Sequence, residues 1–185
     1  TRETEAKEEE LKEKHTDKWM IERWEEIKKI DNISPVNSVS WSPNGKYICT
    51  GTSDIGNKNN TVCIWDANTG ELFQELKGHT RSVTSVSWSP NDKYICSGSF
   101  DMSVKLWDAE KRVHLDSFGK NYGAGNNAHN NLVMSVSWSN DEKKFCSGSV
   151  DGTVFIWYAK SGLFNIKPVE IKSKPVENNN KEHYH

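Results

Sequence analysis

Histidine, serine and aspartate recur in this chain at spacings that first suggest nucleophilic catalysis. His79, Ser97 and Asp101 are separated by 18 and then 4 residues, and Trp107 follows 6 later; His129, Ser147, Asp151 and Trp157 repeat the same separations. A serine activated by a histidine that an aspartate orients is the machinery of acyl transfer. Three observations argue against a hydrolase. An active site has no need to occur twice at identical spacing. The set ends on a tryptophan, which has no role in acyl transfer. Ser97 and Ser147 also lack the glycine pattern of a nucleophile elbow.

The four cysteines include no Cys-x-x-Cys pair, so spacing gives neither a zinc site nor a disulfide framework. Cys49, Cys96 and Cys146 are one position seen three times, each after a large residue (Ile48, Ile95, Phe145) and before a hydroxyl residue. A thiol there packs as a small apolar group. Equivalent positions on neighbouring sheets would lie ~10 Å apart, too far for a bridge. A reducing, intracellular compartment follows. His183 and His185 flank a tyrosine at the chain end and read as solvated rather than metal-bound. No metal or cofactor is expected.

These residues must be positioned by the rest of the 185-residue chain, which suits one domain with an appendage. The mean hydropathy is −0.80. The longest apolar run, Val154 to Ala159, cannot cross a bilayer as a helix. No secretory leader follows Thr1, and a chain beginning with Thr rather than Met suggests a start other than a translation start. The net charge of −2 removes the main argument for nucleic-acid binding, which rests on clustered Lys and Arg.

The sequence divides into three parts. Residues 1–31 carry Glu3–Lys7, Glu8–Lys12, Glu10–Lys14 and Glu25–Lys29, pairs that favour a helix by ~0.2–0.5 kcal/mol each. Met20, Trp24 and Ile27 add an apolar stripe at helical spacing. The reading is a charged N-terminal helix whose stripe packs on its own domain. A partner helix or short coiled coil, and a strand around Trp24 to Ile30, are the alternatives. Residues 173–185 read as a disordered polar tail, with Pro175 and the run Asn178-Asn179-Asn180.

Residues 32–172 repeat themselves. NSVSWSPNGKYICTGTSD at 37–54 returns as TSVSWSPNDKYICSGSFD at 84–101 and MSVSWSNDEKKFCSGSVD at 134–151. Each block precedes a short run ending in Trp65, Trp107 or Trp157. The period is about 42 residues, with insertions near Ile55 to Asn59 and Gly119 to Ala128. Within a unit the pattern alternates with period two: Val39 and Trp41 project to one side, Ser38, Ser40 and Ser42 to the other. Pro43-Asn44-Gly45 makes a tight turn. Tyr47 to Gly51 and Thr61 to Trp65 are the next strands. The fourth strands are expected at Glu71 to Leu76, His114 to Phe118 and Leu163 to about Val169. Each such sheet is apolar on both sides and needs a neighbour on both. The serine side of one sheet leaves room for the Val/Trp side of the next, which gives a radial stack.

The units resemble the blades of the WD-repeat β-propeller family, whose period is about 40–45 residues with Gly-His and Trp-Asp signatures. Trp65-Asp66, Trp107-Asp108 and Gly78-His79 carry these signatures, whereas Trp157-Tyr158 and Ala128-His129 depart from them. The resemblance implies an all-β fold of three four-stranded antiparallel blades, at about 33–77, 78–118 and 128–169, following the helix. It also implies that His79, Ser97, Asp101 and Trp107, and likewise His129, Ser147, Asp151 and Trp157, form a buried hydrogen-bonded chain in each blade. Those groups suit one another as donors and acceptors. The first unit has Thr50, Asp54 and Trp65, but Asn32 replaces the histidine and Asn59 competes as the turn residue, so this blade should be less well locked.

Propellers of this family bind proteins and peptides on the face bearing the turns between second and third strands. The family's contact positions map to Ser82, Thr84, Phe100, Leu132, Met134 and Val150, and in the first unit to Pro35, Asn37 and Ser53. Phe100, Leu132, Met134 and Val150 are apolar where polar residues would suffice, and exposed apolar patches mark interaction sites. The implied function is a non-catalytic scaffold that binds a protein or peptide within a larger complex; no membrane partner is expected, and nucleic-acid binding is a third option that the charge balance outside the helix weakens. The alternative is the regulatory or sensor propeller of an enzyme-bearing chain. Three blades do not close a ring, since propellers have about four to eight. The missing blades are expected from the rest of a longer chain, or from a second copy; an open wedge on the N-terminal helix is the remaining option. Ser97→Ala should lower the melting temperature and abolish no hydrolytic activity against ester or amide substrates; loss of such an activity at unchanged stability would restore the catalytic reading.

Overall fold

The structure, a computed structural model, describes residues 29–30, 34–53, 60–119, 128–158 and 169–172. The helix expected over residues 1–31 lies outside these apart from Lys29 and Ile30, which belong to no regular element. The tail 173–185, Asn32, Asp54 and most of both insertions also lie outside them.

Among the described residues, twelve strands form three four-stranded antiparallel sheets in simple sequential order. The first sheet is β1 (Val36–Trp41), β2 (Tyr47–Thr52), β3 (Thr61–Asp66) and β4 (Leu72–Lys77). The second is β5 (Val83–Trp88), β6 (Tyr94–Ser99), β7 (Val104–Asp108) and β8 (Val113–Phe118). The third is β9 (Val133–Trp138), β10 (Lys144–Ser149), β11 (Thr153–Tyr158) and β12 (Val169–Lys172). Of the fourth strand expected from Leu163 to about Val169, residues 163–168 lie outside the described residues; the described strand, Val169–Lys172, pairs Val154 with Ile171 and Phe155 with Glu170.

The turns between first and second strands share one construction. The amide of Tyr47 donates to Ser42 Oγ at 2.9 Å, as Tyr94 N does to Ser89 Oγ at 2.8 Å. The chain reverses through a left-handed residue, Gly45 at φ 71°, Asp92 at 61° and Glu142 at 61°. Glycine adopts that conformation without steric cost, and aspartate tolerates it better than glutamate does.

Alternation along each strand divides every blade into two faces, and the cores lie between blades. Cys49, Val62, Ile64 and Leu76 of the first blade meet Val83, Val86, Trp88 and Ile95 of the second. Cys96, Val104, Leu106 and Phe118 of the second meet Val133, Val136, Trp138 and Phe145 of the third. Room for the valines comes from a glycine on β2 and β6. A Cβ on Gly51 would fall 2.8 Å from Val83 Cγ1, and one on Gly98 would fall 2.6 Å from Val133 Cγ1. Seating a valine there contributes ~1.5–3 kcal/mol.

The serines do more than leave space. Val86 N and Trp88 N donate to Ser38 Oγ and Ser40 Oγ, each at 3.1 Å. Val136 N and Trp138 N donate to Ser85 Oγ and Ser87 Oγ at 3.1 and 3.2 Å. Each inner strand is the edge of its sheet, and these amides have no partner in their own ladder. The preceding blade supplies one. Gly98→Ala should lose ~1–3 kcal/mol in chemical denaturation through overpacking against Val133, whereas Gly148→Ala, with nothing within 4 Å of the added Cβ, should unfold like the unmodified chain.

Candidate interaction face and the buried chains

In the second blade the four-residue chain is complete. Trp107 Nε1 donates to Ser97 Oγ at 2.8 Å, and Ser97 Oγ lies 2.8 Å from His79 Nε2. His79 Nδ1 lies 2.8 Å from Asp101 Oδ2. One assignment of protons satisfies every member: indole donates to hydroxyl, hydroxyl to Nε2, and Nδ1–H to the carboxylate. Asp101 also accepts from Thr80 N at 3.0 Å, Ser103 N at 3.0 Å and Ser103 Oγ at 2.6 Å.

The third blade keeps the tryptophan and serine links, with Trp157 Nε1 donating to Ser147 Oγ at 2.8 Å and His129 Nε2 2.7 Å from it. The histidine–aspartate link differs from the expected one. His129 Nδ1 stands 3.6 Å from Asp151 Oδ2 and instead lies 3.0 Å from Thr153 Oγ1, which donates to Asp151 Oδ1 at 2.6 Å. Thr153 is thus a relay, and Ser103 is its counterpart, 3.5 Å from His79 Nδ1. Sequence reasoning missed both, although a hydroxyl residue two positions after the turn aspartate recurs in both units. In the first blade Trp65 Nε1 donates to Thr50 Oγ1 at 3.0 Å; the Asn32 and Asp54 ends lie outside the described residues.

Burial lowers the pKa of the His79 imidazole, against the pull of Asp101. Burial also lowers His129, opposed by Asp151. For Asp101, burial works to raise the carboxyl, but bonds from His79, Ser103 and the Thr80 amide outweigh it and hold it below its usual range. Asp151 is likewise lowered, to about 2: burial opposes the shift, and Thr153 and the Asn130 amide prevail. None of these serines faces an open pocket, since Ser97 and Ser147 are fully buried. Cys49, Cys63 and Cys96 are buried as well, and Cys146 is half-buried. Burial pushes Cys49 up to about 12 and raises Cys96 well above its ordinary value, and all four cysteines are free.

At the end of the sheets bearing the β2–β3 turns, one amide bond recurs in each blade: Ser53 N to Pro35 O, Phe100 N to Ser82 O and Val150 N to Leu132 O, each 3.0 Å. A cavity of about 250 Å³ lies there, lined by Asn37, Ser53, Ser82, Thr84, Phe100 and Met134. Four of the six expected contact residues therefore converge, with two of the first unit's. Leu132 and Val150 do not line it; Leu132 is half-buried and Val150 exposed. Asn37 and Thr84 also tie blades together. Asn37 Nδ2 donates to Val83 O at 2.8 Å, and Thr84 Oγ1 to Val133 O at 2.6 Å.

A second cavity, of about 370 Å³, opens at the opposite end of the strands among Tyr47, Phe73, Trp88 and Arg112. Its aromatic walls are occupied with one another: Tyr47 stacks on Phe73 at 4.9 Å and on Trp88 at 6.4 Å, and the Arg112 guanidinium lies 3.9 Å from the Phe73 centroid. Among the described residues no group of His, Cys, Asp or Glu could hold a metal, and no helix is long and apolar enough to cross a membrane.

Four-stranded sheets stacked by their faces, with inner edges β1, β5 and β9 side by side, define a sector of a β-propeller. The WD domain, G-beta repeat, matches residues 24–66, 70–108 and 124–158, well over half of the sequence, and the chain belongs to that family. The first match begins inside the segment read as a helix. The chain is 40% identical over 48 residues to the WD repeat-containing protein VIP3 of Arabidopsis thaliana, a match covering 26% of this chain and 13% of that protein. It is similar in fold to the RRP9 WD40 repeats and to U3-55K, each at a TM-score of 0.64 and 17% identity, over 77% and 78% of this chain. It spans 40% and 41% of those two chains. Domains of this family are generally protein-interaction scaffolds and typically non-catalytic.

The pH dependence follows from the lowered histidines. Unfolded histidine ionises near 6.5, and the folded His79 and His129 ionise lower, so the unfolded chain binds more protons in that range. Stability should be full above 6.5 and fall as pH drops through it towards the folded values. A second loss should begin below 3.8, where the unfolded aspartates protonate before Asp101 and Asp151. Thermal unfolding between pH 8 and 5 checks the first step. His79→Gln should reduce the slope while lowering the melting temperature throughout.

Proposed function

We propose that the chain is a non-catalytic interaction scaffold inside a larger, intracellular assembly, and that it takes a protein or peptide segment on the face bearing the 250 Å³ cavity. The observation that carries this reading is the composition and span of that cavity. Its lining comes from all three blades: Asn37 and Ser53 from the first, Ser82, Thr84 and Phe100 from the second, Met134 from the third. Phe100 and Met134 provide apolar contact, and the amide and hydroxyls around them provide directional bonds. The volume is below that of an ordinary small-molecule pocket and fits a single side chain of a partner segment. Methionine adapts its shape to what it meets. The absence of an open nucleophile in either buried chain supports a scaffold over an enzyme, and the four free thiols support a reducing compartment.

Phe100→Ala and Met134→Ala should each reduce recovery of bound partner in a pull-down by ~10-fold or more, as expected for an anchor whose truncation costs ~1.4 kcal/mol or above. Both variants should keep the melting temperature of the unmodified chain. Unchanged recovery in both would overturn the assignment of this face.

A further inference from the structure

We propose that the 370 Å³ cavity at the joint of the first two blades is a second peptide site, and that its occupant is a proline-rich segment in the polyproline II conformation. The lining residues named above all belong to those two blades, at the end of the strands opposite the 250 Å³ cavity. Its size falls at the lower end of the ~300–1,000 Å³ usual for ligand pockets.

The polar groups around this cavity are mainly donors without an acceptor. Asn44 Oδ1 already accepts from Ser42 Oγ and from the Lys46 amide, each at 2.9 Å. Asn91 Oδ1 accepts from Ser89 Oγ at 2.8 Å and from the Lys93 amide at 3.1 Å. Each asparagine is left with its Nδ2 group to offer. Among the described residues, these two amide groups, the Tyr47 hydroxyl, the Lys93 ammonium and the Arg112 guanidinium make no hydrogen bond or ion pair. The acceptors are fewer. Asp92 O takes Trp88 Nε1 at 3.1 Å, Lys93 O takes Ala109 N at 2.8 Å, and Asp92 Oδ1 takes the Asn44 amide at 3.1 Å. The second oxygen of Asp92 and the Glu110 carboxylate remain.

The lining charges cancel, Asp92 and Glu110 against Lys93 and Arg112, so the complementary occupant has no net charge. The apolar wall is preformed. Tyr47 is stacked on Phe73 at 4.9 Å and on Trp88 at 6.4 Å, and Phe73 is 38% exposed. Two lining residues, Asp92 at φ 61° and Arg112 at φ 60°, hold the left-handed conformation that Gly45 and Gly70 hold in the first blade. For side chains that conformation is unfavourable, and such residues gather at binding sites. Arg112 thereby sets its guanidinium 3.9 Å from the Phe73 centroid, across the joint.

The occupant must therefore bring apolar surface and acceptors, but few donors and no net charge. An ordinary extended peptide carries an N–H for every carbonyl, and proline removes it. A polyproline II segment bonds none of its carbonyls internally, and its rings dock on aromatic walls. With about three residues per turn, prolines at i and i+3 meet the wall on the same side. This site is independent of the partner taken on the opposite face.

Titration of the isotope-labelled chain with blocked decapeptides, followed by nuclear magnetic resonance, tests this. The probes are decaproline, an alternating Glu-Leu peptide and an alternating Lys-Leu peptide. Decaproline should shift the Trp88 indole and the Asn44 and Asn91 side-chain amide signals, saturating with a Kd of ~1 mM or tighter. Phe73→Ala and Arg112→Gly should each weaken it by ~5-fold or more. Arg112→Gly suits the left-handed turn, so that variant keeps its fold. Phe100→Ala, on the opposite face, should bind decaproline like the unmodified chain. No shift at ~5 mM decaproline, tighter binding of the acidic or the basic peptide, or undiminished binding by Arg112→Gly overturns the proposal. So does loss of decaproline binding in a folded Phe100→Ala variant.

Discussion

An inner edge strand in each blade carries amides that its own sheet cannot bond, and the rest of the structure depends on how they are satisfied. The preceding blade answers with a pair of serines spaced two apart, so that each hydroxyl meets one amide. Because the side-chain period of a strand is two, the residues between those serines point the other way and are free to be large. Valine and tryptophan there become the knobs for the blade before. A single alternating segment thus does two jobs, accepting from one neighbour and filling the other. Leaving such an amide buried and unbonded costs ~1–3 kcal/mol, which explains why the joint is a polar ladder lined with apolar packing rather than packing alone.

The second organising element is the chain of bonds running from tryptophan to aspartate within a blade. It pins the third strand to the second and to the loop that enters the first, so it fixes the end of the sheet on which the cavity lies. Its members look catalytic because the same donor and acceptor logic serves both purposes: a neutral histidine between a hydroxyl and a carboxylate is oriented and electrically satisfied in either setting. Here the hydroxyl is spent on the indole and is sealed from solvent. The second and third blades reach this state by different routes, one direct and one through Thr153.

Much of the architecture was legible because the repeat displays its own logic three times. Ser38, Ser40 and Trp41 announce strand and face; Trp65, Trp107 and Trp157 mark the third strands. The serine–amide rungs went unseen because sequence patterns report side-chain size and polarity, whereas the acceptor's counterpart is a backbone group common to every residue. Thr153 and Ser103 each follow the turn aspartate by two, but hydroxyl residues near turns are common, and that spacing alone does not tell that the side chain reaches a histidine. The opposite cavity, with Tyr47, Phe73 and Arg112, depends on neighbours from different strands and two blades, a proximity that only the fold creates.

Asn37 and Thr84 hold a double obligation. Each lines the cavity and each reaches across to a carbonyl of the adjacent inner strand. Such positions are poor candidates for free variation, because any side chain placed there must keep two sheets at their proper separation. The polar pair is thus fixed masonry in the wall of the cavity.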